Sequence, residues 1–191
     1  MIRRNAMGWM AAVTLGALLP ACSSLVPATQ KTLEAVDPVR QDIAELVLIL
    51  DLPAAVQPVP DTTRMSVVYR LPGQPDRQVD ASLALADPGE IADTLAPPAS
   101  GRAYYFLGFG AEDKARLRAA QAWARSGGNA AATGGLSVAP RFCGTGPVDI
   151  NKARFSVNVT LPGTLKAAPL IKDEILANAL ALSNQTALEA C

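Results

Sequence analysis

The sequence predicts an α+β fold: a mostly antiparallel sheet, or a small sandwich, of about six strands, with one clear helix at 111–126 and a second near the C-terminus. Three observations carry that expectation. Runs such as RMSVVYR and RFSVNVT alternate polar and apolar residues with a period of two. Turn-forming clusters such as PGQPD separate them. One longer stretch, AEDKARLRAAQAWARSGG, is rich in the strong helix formers Ala, Leu, Arg and Gln. With 50% hydrophobic and 18% charged residues in a chain of 191, a folded core is expected rather than disorder.

Taken in order, the first 42 residues offer only a short helix before Pro38. LVLILDLP (46–53) is a brief apolar run ended by Pro53 and reads as a buried strand. AAVQPVPD is a turn-rich link. In TRMSVVYRL, Met65, Val67 and Tyr69 share one side. After the PGQPD turn, Val79, Ala81, Leu83 and Leu85 share a face of the next strand. PGEIADTLAPPASG is a long loop with room for one helical turn. RAYYFLGFG is apolar on both faces, which suits a central strand. The 111–126 helix has Glu112 and Asp113 in its first turn, where they suit the helix dipole, and Gly127 and Gly128 stop it. GLSVAPRFC and ARFSVNVTL are further strands. In the second, Phe155, Val157, Val159 and Leu161 point inward, while Ser156, Asn158 and Thr160 point outward. In the tail, Ile171, Ile175, Ala179 and Leu182 have helical spacing.

The N-terminus gives an address. Arg3 and Arg4 precede AMGWMAAVTLGALL, an apolar run of about 14 residues, short of the ~20 that span a bilayer. Residues 1–21 therefore read as a signal peptide, 22–42 as a tether and 43–191 as one α+β domain. Leu19-Pro20-Ala21-Cys22 resembles the lipobox of bacterial lipoproteins. The resemblance covers only this region. It implies cleavage before Cys22, lipidation of its thiol and acylation of the new amino group. At about 0.8 kcal/mol per buried CH₂, several chains make a firm anchor. Ser23 in place of Asp implies sorting to the outer membrane, with the domain facing the periplasm. The rivals are ordinary cleavage after Val26-Pro27-Ala28, which releases a soluble periplasmic protein, and a twin-arginine signal read from RRNAM, whose surroundings fit poorly.

With Cys22 lipidated, Cys143 and Cys191 remain. Two thiols in an oxidising compartment point to a disulfide. Closing a loop of roughly 48 residues stabilises a fold by about 4 kcal/mol on chain-entropy grounds. The alternatives are two free, inert thiols or a reactive Cys143 held as thiolate by Arg141.

The chemistry is mostly excluded. The chain has no histidine, so His-based triads, general bases and metal ligands are ruled out within it. Its charge is balanced over the full length, and without Arg3 and Arg4 it is −2, which disfavours nucleic acid. Asp80, Glu112 and Asp149 have no catalytic motif around them. GFG, SGGNAAATGG and CGTGPVD lack phosphate-loop and dinucleotide spacing. Neither a cofactor nor a metal is expected. On the 111–126 helix, Lys114, Arg118, Gln121 and Arg125 form a stripe, with Trp123 and Ala119 opposite. The Trp and Ala face is expected on the sheet and the stripe outside, a solvated face or a docking surface for an anionic partner. Arg116, near the Trp side, is expected to snorkel or to pair with a buried acid. The resulting expectation is a non-enzymatic envelope lipoprotein that binds, as an accessory component of an assembly or transport system, an unidentified protein partner. A glycan- or lipid-binding module using the basic stripe is the first alternative. A hydrolase using carboxylates or Cys143 is the second.

Overall fold

The computed structural model describes residues 39–59, 61–126, 133–160 and 163–191. The expected signal peptide, Cys22, nearly all of the expected tether, the Val26-Pro27-Ala28 site, Leu161 and the Gly127–Gly128 stop lie outside the described residues.

A single 3₁₀ turn, Ile43–Glu45, leads into β1 (Leu48–Pro53), β2 (Val56–Pro58), β3 (Thr63–Arg70) and β4 (Arg77–Leu85). A one-turn helix α1 (Glu90–Asp93) precedes β5 (Arg102–Phe109) and the long helix α2 (Ala111–Ser126). Then come β6 (Thr133–Ala139), β7 (Phe142–Gly144), β8 (Arg154–Thr160), β9 (Ala167–Ile175), α3 (Leu176–Leu182) and β10 (Glu189–Ala190). The described chain is thus predominantly β with some helix.

Seven strands form one sheet in the order β6-β3-β4-β5-β1-β8-β9, and every pairing in it is antiparallel. The doubly apolar β5 is the middle strand, as expected. Leu48, Leu50 and Leu52 of β1 and Met65, Val67 and Tyr69 of β3 join one buried cluster with Leu107, Phe155 and Val157. Helix α2 packs on β3, β4 and the 3₁₀ turn, adding Leu117, Ala120 and Ala124 to that cluster. On the other face, the Arg102 guanidinium bonds Asp51 at 2.6 Å and reaches the carbonyl of Arg154 at 3.1 Å, tying β5 across β1 to β8. The sheet is curled: Val138 from β6 and Leu170 from β9, its two edges, line one cavity. The β9 edge is guarded by Pro169, Lys172 and irregular pairing with β8. A second sheet, β10-β7-β2, holds the C-terminus.

Several expectations change. AAVQPVPD contains β2, a three-residue edge strand on which Pro58 costs no ladder bond the fold needs. GLSVAPRFC is two strands in different sheets, parted at Pro140. The tail is helical only over α3. Its first half is β9, because Ile171 lies opposite Val157 and the β8 edge supplies hydrogen-bond partners that outweigh helical spacing. Leu85 is exposed, at 54%, since β4 ends there. Thr160 is buried rather than outward, and its hydroxyl accepts from the Val47 amide at 3.0 Å.

Candidate functional site

Two constructions stand out: one seats residues 39–46 on the domain, and the other ties down residues 185–191. The first is the meeting of α2 with residues 39–46. Helix α2 packs with Trp123 at the margin of the core rather than at its centre, and Ala119 takes no part. Leu117, Ala120, Gln121 and Ala124 are its buried residues, Ala119 is exposed and Trp123 is half-buried. The polar stripe therefore flanks the packed face, which corrects the expected orientation. The reason lies in the 3₁₀ turn: Ile43 and Ala44 fill the core beside α2, so their acidic neighbours come to lie along its polar flank.

The stripe meets this segment residue by residue. Lys114 pairs with Glu45 at 2.7 Å. Arg118 bonds Asp42 at 2.9 Å through Nε and also pairs with Glu45. Gln121, 1% exposed, donates its side-chain amide to the Gln41 carbonyl. Asp42 also caps the 3₁₀ turn, accepting from the Ala44 amide at 3.2 Å. Arg125 is exposed at the last turn of α2. The hydrogen bond from Lys114, followed by its charge and the Arg118 hydrogen bond, holds the Glu45 carboxyl below its ordinary range. The same acids hold the Arg118 guanidinium above its own. Arg116 pairs with Asp113. That carboxylate is mostly buried and also accepts the Ser82 amide at 2.9 Å, fixing the start of α2 on β4. The expected pairing of Arg116 with a buried acid is present.

The second construction is at the C-terminus. Cys143 and Cys191 form a disulfide with Cα atoms 5.0 Å apart. Glu189 and Ala190 pair in parallel with Cys143 and Gly144 of β7. The buried amide of Gln185 completes the attachment. Its Oε1 accepts from the Phe142 N–H at 3.0 Å and its Nε2 donates to the Phe142 carbonyl at 2.9 Å. Sequence reasoning found the cysteines but not Gln185, which carries no local signal. Only the tertiary placement of β7 gives its side chain a backbone to imitate. A shallow surface groove lies beside this attachment, lined by Thr145, Pro147, Val148, Ile150 and Leu188.

The carboxylates considered for catalysis sit on separate elements. Asp80 accepts from Gln78 on β4, Glu112 is exposed at the start of α2, and Asp149 accepts from Asn151 in the β7–β8 connection. Among the described residues no three Cys, Asp or Glu side chains are grouped to hold a metal ion. Nor is any helix among them long and apolar enough to cross a membrane. Gly108 of the GFG run has a packing role: a Cβ there would lie 3.3 Å from the Ala86 side chain. No family model matches the chain, and neither a curated protein nor a solved structure does.

Proposed function

We propose that the chain is an exported lipoprotein of the bacterial envelope, anchored at Cys22 in the outer membrane and facing the periplasm. It acts by binding, without catalysis, as an accessory component of an assembly or transport system. The observation that carries this reading is Leu19-Pro20-Ala21-Cys22, placed behind Arg3, Arg4 and a short apolar run. The Cys143–Cys191 disulfide supports it, since such bonds persist in oxidising compartments. So does the ion-paired seat for residues 42–45, which gives the end of a membrane tether a defined exit from the domain.

Intact mass of the protein purified from membranes tests the anchor. The expected product begins at Cys22 and carries two or three acyl chains, and Cys22→Ser moves the protein to the soluble fraction. A bare chain beginning at Thr29 refutes the proposal. Cross-linking in intact cells tests the accessory role: one dominant protein neighbour is expected, and labelling spread over many proteins counts against it.

A further inference from the structure

The curl of the large sheet leaves an apolar cavity of about 50 Å³ between its two edges. Leu50, Leu107 and Phe155 form part of its wall, and Leu170 and Leu182 belong to its rim. Leu182, the last residue of α3, is 71% exposed, so the rim continues as apolar surface. Thr63, at the start of β3, is the one polar residue among the described residues of the lining. It is fully buried, and its hydroxyl oxygen has no hydrogen-bond partner.

Those facts narrow the occupant. An unpaired hydroxyl in an apolar enclosure is costly and is relieved by one polar atom brought to it. Water is a poor occupant because it needs two to four polar partners, and the described lining offers a single polar side chain. A carboxylate or an ammonium would enter without a counter-charge, since no charged residue lines the space among the described residues. The volume admits only the tip of a slender molecule, on the order of two non-hydrogen atoms at ~30 Å³ per water-sized group.

We propose that this cavity binds the end of an aliphatic chain bearing a neutral oxygen, a hydroxyl or a carbonyl. The oxygen sits on Thr63 Oγ1, and the hydrocarbon body leaves over Leu182. The site is separate from the basic stripe, and it stands whether or not Cys22 carries lipid.

Methyl NMR of the exported chain carrying Cys22→Ser, titrated with hexan-1-ol, hexan-2-one and hexanoate, tests the site. The alcohol and the ketone are expected to show contacts to the Leu50 and Leu170 methyls, and the hexanoate anion none. Thr63→Val is expected to weaken the alcohol about tenfold, the loss of one hydrogen bond. Thr63→Ser, which keeps the hydroxyl, restores binding. Equal binding by wild type and Thr63→Val overturns the proposal, as does equal binding of the anion. Absence of alcohol contacts in the wild-type cavity overturns it without any variant. None of these outcomes bears on the mass of the anchor, so the two proposals fail separately.

Discussion

Gln185 is the residue whose loss should be felt most. Its amide satisfies both polar groups of the Phe142 backbone in a buried position. Gln185→Ala leaves a donor and an acceptor unpaired and is expected to cost about 2–4 kcal/mol in urea unfolding. The buried hydroxyls of Thr63 and Tyr69 behave oppositely. Neither has a partner, and burial pushes the Tyr69 phenol well above its ordinary pKa. Thr63→Val and Tyr69→Phe should each leave stability unchanged or raise it by about 1 kcal/mol. A loss above that size from either would reveal a hydrogen bond that the geometry lacks. None of the three roles is legible in sequence: a buried Gln, Thr or Tyr is named only by its neighbours in space.

Among elements, α2 and the 3₁₀ turn form an acid-sensitive contact. Glu45 has a depressed pKa in the folded chain. Its contribution is therefore complete above its ordinary value of 4.5 and is lost as pH falls through the lower folded value. The partners are largely exposed, so the effect is small and screened by salt. Glu45→Gln should lower the melting temperature slightly at neutral pH and low salt. The difference from wild type should vanish in about 1 M salt, where the Debye length is ~3 Å, and again at strongly acid pH. The bounds of α2 were legible because helix formers fill it and acidic residues open it. The strand β9 was not. Its sequence carries helical spacing, and only the open edge of β8 made an extended conformation the better one.

For the whole molecule, the disulfide is the one covalent tie among the described residues. Cys143→Ser with Cys191→Ser, or reduction, frees the C-terminal segment from its covalent tie and should cost up to about 4 kcal/mol by loop entropy. Denaturant unfolding with and without reductant measures it, and an unchanged midpoint would show that β10 and Gln185 hold the segment alone. The sequence by itself determined the absence of histidine chemistry within this chain, the alternating strands β3, β4 and β8, and helix α2. Those follow from short-range periodicity and from side-chain chemistry, which need no partner. Tertiary structure alone decided that the basic stripe lies against Asp42 and Glu45, that β6 and β7 part at Pro140, and that the sheet edges enclose Thr63. Each depends on which distant segment arrives beside it, because hydrogen bonds, ion pairs and buried surface are satisfied across the fold.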